Sequence, residues 1–206
     1  MPSRSKQVFF RKYTFSVDEN VYEPAEDSFL FAENLDVKEG ERVLDVGTGC
    51  GLLAVIAAEK AIEVVAVDVN PHSVQCAKDN SRVSNTHDKI AFVQGDLFAP
   101  FVDFAKFDVI LFNAPYLTRD EDESDSWVTR AWSGGSSGRE IIDRFIAQSP
   151  IHLERRGRLL LLQSNIAGIE ETFRAFETQG MTAEILAQCS VPFFETIVLF
   201  QSKLRV

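Results

Sequence analysis

Asn113-Ala114-Pro115-Tyr116 closes the apolar run Val109-Ile110-Leu111-Phe112, and no other four residues of the chain are so well equipped for chemistry. An amide, a proline-stiffened turn and an aromatic ring stand where a buried strand should meet a surface loop. The Asn113 side-chain oxygen and the Ala114 carbonyl can together accept both N–H protons of a planar amine or amide. That directs the remaining lone-pair density at an electrophilic carbon and stabilises the positive charge developing on nitrogen. Tyr116 would pack against the flat acceptor. Positioning of this kind supplies ~7 kcal/mol or more of a transfer barrier. In isolation the segment also reads as a strand-end cap with loop packing; its place after a fourth strand favours chemistry.

A donor site lies upstream. Asp45-Val46-Gly47-Thr48-Gly49-Cys50-Gly51 follows a first apolar strand and opens a helix. Glycine at Gly47, Gly49 and Gly51 lets the backbone approach a ligand closely and leaves helix N–H groups facing it. About twenty residues on, Asp68 ends the second strand, where a carboxylate takes two ribose hydroxyls. Gly95-Asp96-Leu97 ends the third, offering an acceptor for an adenine amino group and an apolar contact for its ring. The G-x-G-x-G spacing departs from the dinucleotide G-x-G-x-x-G pattern, and Asp45 disfavours a pyrophosphate while welcoming a cationic amino-acid ligand. S-adenosylmethionine (SAM), with its ammonium and sulfonium, fits that description. Each feature alone can be merely structural; the ordered set, one per strand end, points to SAM. Over residues 40–115 the chain resembles class I methyltransferases.

The elements that must position these residues alternate. Apolar runs at Arg42–Val46, Glu63–Val67, Ile90–Gln94, Phe107–Phe112 and Arg158–Gln163 are predicted strands. Helical segments are predicted from Glu23-Pro24-Ala25-Glu26-Asp27-Ser28 onward and at Leu52–Lys60, Pro71–Val83, Arg139–Gln148 and Ala167–Gln179. Strands apolar throughout, separated by helices, imply an α/β fold with a parallel sheet covered on both faces. The final pair, Thr182–Ser190 and Glu195–Gln201, breaks the alternation and predicts an antiparallel hairpin at the sheet edge. The expectation is one domain over 1–206: a Rossmann-like seven-stranded sheet with helices on both faces, a polar lead-in over 1–22 and a substrate-side loop over 117–138. That loop carries the charge run Asp120–Asp125 and the stretch Ser133–Gly138, flexible by composition.

Composition bounds the function. Net charge is −10 over 206 residues, which repels phosphate backbones and disfavours a nucleic-acid partner. The 17 Phe should mostly be core. Cys50, Cys76 and Cys189 have no metal-ligand spacing, so no metal is expected, and Cys50 reads as a small packing residue. His72, His87 and His152 read as surface or helix-end residues. No apolar stretch is long enough to span a bilayer and no leader pattern opens the chain; an intracellular, cytoplasmic protein without membrane contact is expected. Trp132 is expected to shape the pocket mouth.

Asn113-Ala114-Pro115-Tyr116 resembles the (Asn/Asp)-Pro-Pro-(Tyr/Phe) motif of methyltransferases acting on planar exocyclic amines, with Ala114 in place of the first proline. The needed carbonyl survives; rigidity of the turn is expected to be lost. Val21-Tyr22-Glu23-Pro24-Ala25-Glu26-Asp27-Ser28-Phe29, Ala131–Glu140 and Ile142-Asp143-Arg144-Phe145 resemble segments of the short archaeal and eukaryotic branch of the HemK-like protein-glutamine N5-methyltransferases. That resemblance, over roughly residues 20–200, implies methylation of the glutamine in the Gly-Gly-Gln loop of a class I translation release factor. It implies SAM contacts by Ser28, Asp45, Gly47, Asp68, Asp96, Leu97 and Asn113, with Asn113 also touching the glutamine, and a small zinc-binding activator subunit as partner. Two other readings remain: a nucleic-acid methyltransferase acting on an exocyclic amine of adenine or guanine, and an inactive SAM-binding scaffold, suggested by Ala114.

Overall fold

A computed structural model describes residues 5–118, 126–192 and 195–205; the acidic run Asp120–Asp125 lies outside the described residues. Nine strands are present among them: β1 (Lys6–Phe10), β2 (Tyr13–Val17), β3 (Arg42–Val46), β4 (Glu63–Asp68), β5 (Ile90–Gln94), β6 (Phe107–Asn113), β7 (Leu153–Ser164), β8 (Met181–Val191) and β9 (Glu195–Leu204). The helices are α1 (Glu26–Glu33), α2 (Leu52–Ala57), α3 (Pro71–Val83), α4 (Trp127–Trp132), α5 (Glu140–Gln148) and α6 (Ile169–Thr178).

Seven strands form one sheet in the order β5-β4-β3-β6-β7-β9-β8. The first five run parallel, and β9 enters antiparallel between β7 and β8, as the apolar runs and the closing hairpin predict. Alternate residues of each central strand face opposite ways. Val109 and Leu111 of β6 join one apolar cluster, with α1 and α2, while Ile110 and Phe112 join the other, with α5 and α6. Both faces of the sheet are therefore covered, which is why these runs lack polar alternation. Phe15, Phe31, Phe107, Phe145, Phe176 and Phe200 are fully buried, whereas Phe9 and Phe104 are exposed. Among the described residues no helix is long and apolar enough to cross a membrane.

Three local expectations change, and one that holds gains a detail. Residues 5–22 are more than a lead-in: β1 and β2 pair in register about a tight turn at Arg11, whose φ is +52°. Val8, Phe10, Tyr13, Phe15 and Val17 are buried beneath it, a period-two pattern present in the sequence. The backbone of Ser16 exchanges two hydrogen bonds of 2.9 Å with the Asn80 side chain, which also donates to the Cys50 carbonyl. The hairpin is thus tied to the glycine turn. Helix α1 starts at Glu26, leaving Glu23-Pro24 outside it, because a residue before proline avoids the helical region. Residues 127–132 of the supposed loop are helical, capped by Ser126 Oγ accepting from Thr129 N–H (3.0 Å). His152 does end a short 3-10 turn, but it is buried: its ring stacks on Phe98 at 4.8 Å and Nδ1 meets the Ala105 carbonyl at 2.9 Å.

Candidate active site

The loops following β3, β4, β5 and β6 meet at the carboxyl edge of the sheet, where open α/β folds bind ligands. There they enclose a cavity of about 600 Å³, within the usual range for a cofactor-sized site.

Gly47 and Gly49 adopt φ of +66° and +56° and line the cavity. A side chain at Gly47 would press on the Phe112 ring, 3.3 Å from where its Cβ would stand. The turn is pinned from behind. Gly47 and Thr48 N–H donate to the Val67 carbonyl (2.8 and 3.1 Å), and Gly49 N–H donates to Asp68 Oδ2 (3.0 Å). These three are spent on β4, so the turn offers close backbone approach without an anion-binding nest. Gly51 stands off the cavity; with φ of +86° its bare Cα lies where a Cβ would come within 3.0 Å of Ala77 Cα. Its role is the close approach of α2 and α3.

Asp45 also lies behind the turn and does not border the cavity. It is buried and accepts from Thr48 Oγ1 (2.7 Å). Burial pushes its carboxyl up to about 7, with the charge of Asp68 adding to the rise and the Thr48 hydrogen bond opposing it. Asp68 borders the cavity, its Oδ1 accepting from Asn70 N–H (2.8 Å). Burial raises its carboxyl too, against the N–H groups of Asn70 and Gly49. Asp96 lies at the rim with Oδ2 paired to Arg144 of α5 at 2.6 Å, leaving its other oxygen for a ligand. Leu97, at φ +49°, is buried and turned into the wall. Cys50 is buried and its thiol pushed up by that burial, which suits packing rather than attack.

The second half of the cavity is built around Asn113. Its Nδ2 donates to Asp27 Oδ2 (3.0 Å) and Ser28 Oγ (3.3 Å). Its Oδ1 is buried and has no hydrogen-bond partner, while the residue itself lines the cavity. Ala114 N–H donates to the Leu162 carbonyl at 3.1 Å, a bond proline cannot make. That bond ties the turn to β7 at the position where the motif's first proline would offer no donor. Tyr116 follows, its phenol pushed up by burial and by nearby Asp27, Tyr22 and Glu195. Leu117 exchanges hydrogen bonds with Trp132 and Gly134 (3.0 and 2.8 Å), which brings Trp127, Arg130 and Trp132 of α4 to the cavity wall. The Arg130 guanidinium lies over the Trp127 ring, 5.0 Å from its centroid.

The structure therefore gathers Ser28, Gly47, Gly49, Asp68, Asp96, Leu97, Asn113, Ala114, Pro115, Tyr116 and Trp132 around one space, and leaves Asp45 and Gly51 as supports outside it. Sequence reasoning missed Asp27 and Tyr22, although both stand in the segment that supplied Ser28. An acid in the first turn of the predicted helix, next to Ser28, was the available signal.

The methyltransferase small domain family matches residues 13–187. A putative protein N5-glutamine methyltransferase of Methanocaldococcus jannaschii is 44% identical over 181 residues, covering 87% of this chain and 90% of that one. The methyltransferase HEMK2 of Mus musculus is 32% identical over 174 residues, 79% of this chain and 80% of that one. Among solved structures, the Mtq2-Trm112 complex of E. cuniculi, described as responsible for methylating the eRF1 translation termination factor, superposes with a TM-score of 0.68. It is 26% identical and covers 90% of this chain and 99% of its own.

Proposed function

This chain belongs to the HemK-like protein-glutamine methyltransferases of the methyltransferase small domain family, and from that premise we propose that it methylates the side-chain amide of a glutamine in a class I translation release factor, with SAM as methyl donor. The observation that carries this reading is Asn113, a residue of the cavity lining whose NH2 end is held and whose buried oxygen has no partner.

The donor half fits SAM. A turn whose N–H groups are spent internally does not favour phosphate, and the two acids beneath it, Asp45 and Asp68, favour a cation. Asp68 and Asp96 would hold the ribose and the adenine amino group, with Leu97 against the ring and Ser28 at the methionine end. SAM supplies an electrophilic methyl carbon on a sulfonium. Asn113 Oδ1 and the Ala114 carbonyl accept the two N–H protons of the incoming amide and stabilise the charge growing on its nitrogen. Tyr116 packs on the amide plane, and the released proton passes to water without a dedicated base. We read the whole chain as one catalytic unit. By analogy with the E. cuniculi complex, a small activator subunit, zinc-binding as the family resemblance implies, is the expected partner.

The test is incubation of the protein with methyl-labelled SAM, a release factor and total RNA. Label in the release factor supports the reading; label in RNA, or nowhere, overturns it. Asn113→Ala is expected to lose the labelling while retaining SAM, and Asp68→Ala to weaken SAM itself, both read by calorimetry.

A further inference from the structure

Asp27 is buried at the start of α1 and is approached from two sides. Its Oδ1 accepts from Ser28 N–H (2.6 Å), Ser28 Oγ (3.1 Å) and the Tyr22 hydroxyl (3.3 Å). Its Oδ2 accepts from Asn113 Nδ2. An ionised carboxylate has no hydrogen to offer, so it takes only the NH2 end of an amide. The planarity of the Asn113 amide then puts Oδ1 on the far side, and that oxygen is the partnerless one.

The two ends of an asparagine amide are nearly equal in size and opposite in hydrogen-bonding sense. Turned over, Asn113 would present hydrogens to the hydrogens of a substrate amide, and the clamp would repel what it must hold. We propose that Asp27 is the positioning residue of the methyl transfer, its buried charge choosing the one orientation of Asn113 in which the acceptor oxygen faces the glutamine NH2. The inference rests on Asn113 as the amide clamp. Tyr22 and Ser28 complete the device by holding Oδ1 of Asp27, so that Oδ2 alone is left for Asn113.

Asp27→Asn tests it at almost constant volume. Three donors still converge on the Oδ1 position, so the new amide keeps its oxygen there and turns its NH2 toward Asn113. Asn113 must then rotate, accept that hydrogen bond through Oδ1 and expose its own NH2 to the cavity. The expected result is a fall in kcat of about 100-fold or more, the scale of losing a transition-state contact, with SAM affinity retained. The double variant D27N/N113D restores one acceptor to each side: the amide introduced at position 27 donates to one oxygen of the carboxylate introduced at position 113, and the other oxygen faces the substrate. It is expected to regain about tenfold or more over D27N, whereas two independent losses would simply add. A second readout needs no substrate. The Asn113 side-chain NH2, held by Asp27 in the parent, is expected to exchange its protons with solvent about tenfold faster or more in D27N, read by 15N NMR. Parent-like kcat in D27N, a double variant no better than D27N, or unchanged exchange overturns the proposal. A parent protein that labels no release factor defeats the substrate assignment instead, and the exchange comparison still decides the orientation of Asn113.

Discussion

At the scale of single residues, the site depends on how burial changes what a side chain offers. Asn113 is useful because one end of its amide is already occupied and the other is not. Asp45 acts differently. Its carboxyl, raised by burial from 3.8 to about 7, keeps a proton in the folded chain that the unfolded chain has released. Stability from this group is therefore complete below the unfolded value and declines as pH rises through about 7. A cationic ligand overhead favours the ionised form, so its affinity should change in the opposite sense. SAM is expected to bind more tightly at about pH 8 than at about pH 6, with uptake of the ligand releasing a proton. Calorimetry in buffers of different ionisation enthalpy measures this, and Asp45→Asn should remove the dependence. Equal affinity and no proton release in the parent protein would contradict it.

At the scale of elements, glycines hold the loops against one another. Ser133–Gly138, flexible by composition, forms a close backing for the acceptor turn. A Cβ at Gly134 would stand 2.3 Å from the Gly138 carbonyl oxygen, and one at Gly138, with φ +71°, would stand 2.6 Å from that of Tyr116. Behind them Arg139 donates to the Gly168 carbonyl and Thr172 Oγ1 at 3.0 Å and pairs with Asp143 at 2.6 Å, joining α5 to α6. Gly138→Ala should therefore displace Tyr116 and lower kcat by about 10- to 100-fold, since an ångström of misplacement costs that order, while SAM affinity persists. Gly51→Ala should do the reverse, lowering the melting temperature through the α2–α3 contact before it alters turnover. Steady-state kinetics and thermal melts of the two variants separate the roles; the same defect in both would refute the distinction. The alternating apolar runs made the sheet and its helices legible in the sequence. Helix α4 was not legible, because a short capped helix beside a charge run shows no period.

At the scale of the whole molecule, the chain carries a net charge of −10, with Glu26 and Glu195 near the tyrosines of the cavity. A release factor built to bind ribosomal RNA presents basic surfaces, so their encounter should be steered by charge. The association rate constant is expected to fall about tenfold or more between low and moderate salt, as screening shortens the reach of the field, with dissociation little changed. Stopped-flow measurements across a salt series decide it, and a flat series would remove charge from the account. The sequence by itself determined the sheet, its parallel and antiparallel parts, the glycine turn and the four residues that lead from β6 into the cavity wall, because each is written in local period or spacing. Only the tertiary structure decided that Asp27 reaches Asn113 across 86 positions of chain, that Ala114 bonds to β7, and that Asp45 and Gly51 support the cavity without lining it. Those facts depend on which loops meet at the end of the sheet, and a linear pattern carries no record of distances between segments brought together by packing.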